Sequence, residues 1–220
     1  AAVGSIGSGG VLSYQNHVLP LPSNALAPGW GVGMGDLNGT GSDVIAVGSL
    51  GDFRTAGQVS LFEWNGSGFT NTQNITSQIP NPKNSESFGY GVAIADITGS
   101  PDKDLIVGAP GSNVNGQNGA GRVFVFPGPG PVTASNYLTL TTNVKDDSFG
   151  RKVAAGDLNG DSLSDLLGST AWNNNDVKSN GYLGSVFQGQ TANYVLRPVN
   201  GLGGGWSTTE PDSADLNGDG

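Results

Sequence analysis

Residues 157–165 read DLNGDSLSD and carry side-chain oxygens at the first, third, fifth and ninth places of a segment without helical character. Short oxygen-bearing side chains at alternate positions of a tight turn, helped by a backbone carbonyl, suit a hard divalent cation, which takes about six to eight oxygens. The donors here would be Asp157, Asn159, Asp161 and Asp165, with the carbonyl of Leu163 as a fifth. Three related stretches follow the same plan. Residues 96–104 (DITGSPDKD) offer Asp96, Thr98, Ser100 and Asp104. Residues 36–43 (DLNGTGSD) offer Asp36, Asn38, Thr40 and then Asp43 at the eighth place, so this loop reads as one residue short. Residues 215–220 (DLNGDG) offer Asp215, Asn217 and Asp219 without a closing acid. Calcium suits such loops better than magnesium, which demands a tighter octahedron and keeps its waters. The expectation is about three to four calcium sites, strongest at 157–165 and weaker at 96–104, where neutral hydroxyls stand in for carboxylates. The alternative is a set of Asx-turns whose carboxylates bond the loop's own amides. An EF-hand is excluded, because its twelve-residue loop needs a flanking helix on each side and a terminal Glu.

The loops recur at a fixed interval. Their first aspartates lie 60, 61 and 58 residues apart, which is the signature of a repeat architecture. Before each loop comes a short run with an aromatic-Gly or aromatic-small pair: GWGVGMGD, FGYGVAIAD, FGRKVAAGD and the degraded GWSTTEPDSAD. After each complete loop comes an apolar run closing on small residues: VIAVGS, LIVGAP and LLGSTA. A third run follows a glycine: GQVSLFEW, GRVFVF and GSVFQG. The N-terminal AAVGSIGSGGVLSY matches IAVGSLGDFRTAGQVSLF with a shortened loop, so residues 1–28 complete the unit that begins near 205. The units begin near 29, 88, 149 and 205, and residues 1–220 read as a single domain or a fragment of one.

Composition points to strands. Only 12% of the 220 residues are charged, while 38 are Gly and 12 are Pro, so the apolar runs are short and punctuated by turn residues. Runs of this kind, rich in Val, Leu, Ile and Phe, read as β-strands, and no segment shows sustained helical periodicity. The fold class is therefore all-β. In the second unit, strands are expected near 90–95, 105–109, 122–126 and 137–141. The alternation in RVFVF suits a sheet packed on both faces.

The quoted FGYGVAIADITGSPDKDLIVGAP carries Phe88-Gly89, a calcium-type loop and Gly108-Ala109-Pro110. It resembles the FG-GAP repeat of integrin α-subunit β-propellers. The third copy keeps FG but has GST, and the first has GWG and GSL. The resemblance implies a β-propeller of four-stranded blades, with calcium in a hairpin between the first two strands of a blade. Family propellers of this type have more blades than four units supply. A closed four-bladed ring, a piece of a larger propeller, and an array completed by a neighbouring molecule all stay open. Among the aromatics, Trp30 and Trp206 hold the repeat's aromatic position and are expected in the core.

The formal net charge is −9, and ten of the 18 acids fall inside the four loops, so the acidity is local. No basic stripe is present to displace counterions, which argues against nucleic acid. No long apolar span predicts membrane insertion, and the absence of cysteine excludes a disulfide framework. The resemblance implies an extracellular or cell-surface scaffold or adhesion module whose partner is another protein or copies of itself. A lectin-like propeller is the alternative, with Trp172 and Trp64 as stacking platforms for glycans, and accessory domain of a larger secreted enzyme is another. No catalytic group is expected: His17, the sole histidine, has no nucleophile beside it and reads as solvated or turn-capping, and no nucleophile elbow or phosphate loop occurs. The loops at 113–118 and 173–180 are where contacts with a ligand are expected. Sequons at Asn65 and Asn74 flank an exposed turn and are candidates for N-glycosylation, whereas Asn38 is needed by its own loop.

Overall fold

The computed structural model describes residues 2–6, 12–50, 56–76, 86–129, 132–133, 136–141, 143–157, 160, 162–170, 179–182 and 194–196. For 2–6, 12–15, 179–182 and 194–196 it describes the backbone alone. Asn159, Asp161, Trp172, Trp206, Asp215, Asn217 and Asp219 lie outside the described residues.

Among these residues every regular element is a strand, and all pairings within sheets are antiparallel. β1 (Ala2–Ile6) and β2 (Leu12–Asn16) form a two-stranded ladder. Three four-stranded sheets follow. The first holds β3 (Pro28–Gly35), β4 (Val44–Ser49), β5 (Gln58–Trp64) and β6 (Phe69–Thr76). The second holds β7 (Val92–Ala95), β8 (Asp104–Ala109), β9 (Arg122–Phe126) and β10 (Leu138–Leu140). The third holds β11 (Val153–Gly156), β12 (Asp165–Ser169), β13 (Ser179–Tyr182) and β14 (Tyr194–Leu196). Each sheet is a meander in chain order, so one repeat makes one sheet. This is the four-stranded blade of a β-propeller.

The sheets stack face to face, and β9 shows why the sequence requires it. Its side chains alternate between two cores. Phe124 and Phe126 enter a cluster with Val44, Ala46, Val59 and Leu61 of the first sheet. Val123 and Val125 enter another with Val153 and Leu166 of the third. The second sheet is therefore apolar on both faces, as a blade between two neighbours must be.

The FG dipeptides fasten one sheet to the next. Phe88 is fully buried in the first core, with edge-to-face contacts to Phe124 and Phe126, and its N–H donates to the Ala56 carbonyl at 2.8 Å. Phe149 repeats this in the second core, its N–H donating to Ala120 at 3.0 Å. The backbone behind each FG pair comes very close to the preceding sheet. A Cβ on Gly48 would overlap the Gly89 carbonyl oxygen, and one on Gly108 would overlap that of Gly150. Only glycine leaves room at those two places.

Trp30 departs from the core position expected of it. It is 47% exposed. The residue at the place of Phe88 is Pro28, just before GWGVGMGD, and Trp30 corresponds to Tyr90, which the ring contact reflects: Trp30 and Tyr90 have centroids 5.0 Å apart, and Arg151 lies 5.3 Å over Tyr90. These three equivalent residues form a ladder across the three sheets, and an aromatic there is not required for packing.

Candidate functional site

The acid-bearing loops are the hairpins joining the first two strands of each four-stranded sheet, and their register is common to all three. Gly35 pairs with Val44, Ala95 with Asp104, and Gly156 with Asp165. The glycine at the fourth place, Gly39, Gly99 or Gly160, has a φ of 67°, 70° or 78°, a left-handed turn that curls the backbone around the centre of the loop. In each, the first aspartate accepts from amides further along. Asp36 takes Thr40 N–H at 3.1 Å and Gly41 N–H at 2.8 Å. Asp96 takes Gly99 N–H at 2.9 Å. Asp157 takes Gly160 and Ser162 N–H, both at 2.7 Å.

The first hairpin corrects the sequence reading. It is not one residue short. The register puts Val44, 2% exposed and part of the core, in the place of Asp104 and Asp165. Asp43 sits one residue earlier and is exposed. Successive side chains on an extended chain point to opposite sides, so an acid at the eighth place cannot replace one at the ninth. Within this loop Thr40 Oγ1 donates to Asn38 Oδ1 at 2.8 Å, and Asn38 Nδ2 donates to Glu63 at 3.3 Å. The donor set of a closed ion cage is incomplete here.

In the second hairpin Thr98 and Ser100 come together around Asp104, which is fully buried, while the Asp96 carboxylate bonds the Gly99 amide. Asp104 Oδ2 accepts from Ile97 N–H and Thr98 N–H, both at 2.8 Å. Asp104 Oδ1 accepts from Thr98 Oγ1 at 2.9 Å and from Gly128 N–H at 3.1 Å, with Ser100 Oγ also 3.1 Å away. The Gly128 amide comes from 24 residues downstream, and no motif in the loop itself signals it.

The third hairpin keeps acids at both ends. Asp157 is half-buried and Asp165 is 1% exposed at the closing position. Between them the sequence supplies Asn159 and Asp161. Asp157 and Asp165 thus bracket the hairpin at its first and ninth places. Leu163 packs against the neighbouring loop, its methyls 3.6 and 3.8 Å from where a Cβ on Gly99 would lie.

Neighbouring hairpins touch. Ser164 N–H donates to the Asp96 carbonyl at 2.7 Å, joining the third loop to the second. The Asp102 carboxylate lies against Gly39, joining the second to the first. The loops thus make one continuous acidic rim.

Elsewhere, His17 is half-buried and meets Trp64 edge-on with centroids 4.7 Å apart, and Phe69 at 6.3 Å. Its ring packs on these aromatics and is not fully solvated. Trp64 is 41% exposed at the end of β5. Asn65 closes the next turn, accepting from Ser67 and Gly68 N–H at 3.0 and 2.9 Å, and both Asn65 and Asn74 are exposed. In the 113–118 loop, Asn113 accepts from Gly119 N–H at 2.9 Å, so this loop is ordered by its own side chain.

The chain is 31% identical over 146 residues to integrin alpha-PS2 of Drosophila melanogaster, a match covering 63% of the chain and 10% of that protein. It is 27% identical over 214 residues to integrin alpha-V of Gallus gallus, covering 91% of the chain and 19% of that protein. It is 24% identical over 190 residues to integrin alpha-5 of Xenopus laevis, covering 84% and 17%. No family model matches the chain. The resemblance carried by the FG and GAP residues is thus a resemblance to integrin α subunits along most of the chain, which spans less than a fifth of the length of each of these relatives.

Proposed function

We propose that this chain is a calcium-stabilised, non-catalytic scaffold acting outside the cell as an adhesion or assembly module, engaging a protein partner or further copies of itself. The observation that carries the reading is the continuous rim of hairpins, in which each loop is bonded to or packed on the next. A rim so joined transmits the rigidity of one loop to its neighbours, and a scaffold that must hold recognition loops in fixed positions benefits from that.

The ion belongs in the 157–165 hairpin. Asp157 and Asp165 would hold it with Asn159 and Asp161, and the Leu163 carbonyl completes the protein's share. Bound there, calcium supplies positive charge that relieves repulsion among the carboxylates. The chain's own contribution is prior: Gly160 and Ser162 amides orient Asp157, and the β11–β12 ladder holds Asp165 at the opposite end. The 215–219 stretch repeats the first three donors in sequence and is the natural second position.

Saturating calcium is expected to raise the melting temperature relative to chelator. At a hundredfold excess over the dissociation constant the stabilisation is about 2.7 kcal/mol, or roughly 5–10 °C for a chain of this size. Asp157→Asn is expected to abolish most of the shift. Identical melting curves in calcium and chelator would remove the calcium reading while leaving the scaffold.

One observation favours glycans as a second partner class: Trp64 is 41% exposed beside the amide of Asn65, and such an indole can stack on a sugar ring. Trp64→Ala is then expected to lose retention on a glycan surface with unchanged circular dichroism. Equal retention of variant and parent, or none by either, would dismiss it.

A further inference from the structure

We infer that the 96–104 hairpin is a self-closing clasp that excludes a metal ion, with the hydroxyls of Thr98 and Ser100 doing the work that a cation does where acids occupy those places. The inference rests on geometry of its own and uses the calcium reading of 157–165 only as contrast.

An ionised carboxylate offers about four lone-pair sites. For Asp104 the amides of Ile97, Thr98 and Gly128 fill three at 2.8 to 3.1 Å, and the Thr98 hydroxyl, whose one proton also has Ser100 Oγ at 3.1 Å, faces the fourth at 2.9 Å. Ser100 adds a shared fifth: its single proton has the Asp104 Oδ1 at 3.1 Å and the Asp102 carbonyl at 2.8 Å as acceptors. A cation approaching Asp104 would have to break these bonds in a place with no solvent exposure, and each buried donor left unpaired carries its full desolvation cost.

The chemistry of the third and fifth places decides the difference between hairpins. A Thr or Ser hydroxyl both donates and accepts, so it can turn its proton to the closing carboxylate and neutralise the need for an ion. An aspartate only accepts. In the 157–165 hairpin the fifth place is Asp161, which when ionised has no proton to give to a closing carboxylate. The second sheet therefore carries a hairpin whose closure is independent of calcium, set between two other sheets. The expected weak calcium site at Asp96, Thr98, Ser100 and Asp104 is replaced by a hydrogen-bonded one.

The test is amide hydrogen exchange followed by NMR at Ile97, Thr98 and Gly128, in saturating calcium and in chelator, on the whole chain. In the parent these three amides are expected to change between the two conditions by no more than the β8–β9 ladder amides of the same sheet, which follow the stability of the whole chain. In Thr98→Val protection is expected to fall about tenfold in both, corresponding to the loss of one hydrogen bond to a charged group, while Thr98→Ser, which keeps the hydroxyl, retains it. In the double variant Thr98→Asp, Ser100→Asp protection is expected to be lost in chelator and regained in calcium. Calcium dependence of the parent hairpin beyond that of the β8–β9 ladder would overturn the inference. So would a double variant that is fully protected in chelator, or a Thr98→Val chain as protected as the parent. The amides of Gly160 and Ser162, which report on Asp157, separate this outcome from the calcium reading: their indifference to calcium would remove that reading alone, and the Thr98→Val result would still judge the clasp.

Discussion

Gly108→Ala is expected to be among the most damaging single-methyl additions in the chain, lowering stability by about 3 kcal/mol or more. The added Cβ would overlap the carbonyl oxygen of Gly150, and that oxygen belongs to backbone, so no side-chain rotation relieves it. The Gly150 N–H is itself tied to the Ser169 carbonyl at 3.0 Å, and Phe149 beside it is fully buried. The second and third sheets must separate for the methyl to fit, at the expense of the core they share. For a chain of this length the melting temperature should drop by roughly 6–12 °C. Gly68→Ala is the control, because a Cβ there meets nothing within 4 Å and the residue has no left-handed φ. It should stay within about 0.5 kcal/mol of the parent, as exposed substitutions do. Equal stability of the two variants in urea titrations would show that the sheets do not approach as described.

Phe88→Ala carries the second large effect. The ring is fully buried between the first and second sheets, 5.4 Å from Phe124 and 6.4 Å from Phe126. Removing it loses the transfer energy of a phenyl group and opens a cavity walled by two sheets, about 3–5 kcal/mol in comparable cores. Because the apolar cores join each sheet to its neighbours, with the Lys152 Nζ to Trp30 carbonyl bond at 3.3 Å linking the first and third, the loss should fall mainly on one junction. Unfolding followed by Trp fluorescence is then expected to separate into two transitions, with Trp30 and Trp64 of the first sheet reporting the earlier one. Phe149→Ala should instead weaken the junction of the second and third sheets. A single transition displaced by less than about 1 kcal/mol would contradict a junction role for the ring.

Much of this architecture was legible in the sequence, because the signals were local and repeated. Strands expected at 105–109 and 122–126 are found as Asp104–Ala109 and Arg122–Phe126, since apolar β-branched runs bounded by glycine leave little choice. The stacking of sheets was legible in RVFVF, where both alternate sets are apolar. Register was less legible. Asp43 looked like a displaced ligand in a shortened loop, yet the hairpin has full length and buries Val44, because a core-facing valine outweighs the placement of a solvated acid. The environment of Asp104 was not legible, since one of its donors, the Gly128 amide, arrives from another turn of the sheet. Trp30 misled for a similar reason: aromatic-Gly pairs two residues apart in the repeat look alike in sequence but face the core in one case and the solvent in the other.

Ser169 occupies the place that Gly108 holds one unit earlier: Ser169 N–H donates to the Lys152 carbonyl at 2.9 Å, as Gly108 N–H does to Gly91 at 2.8 Å. It is 2% exposed, and its Cβ fills the gap through which the first two junctions admit a neighbour's carbonyl. A backbone carbonyl cannot come as near to Ser169 as those of Gly89 and Gly150 come to Gly48 and Gly108, so the close glycine-to-carbonyl joint of the first two junctions is not repeated in the same form at this place.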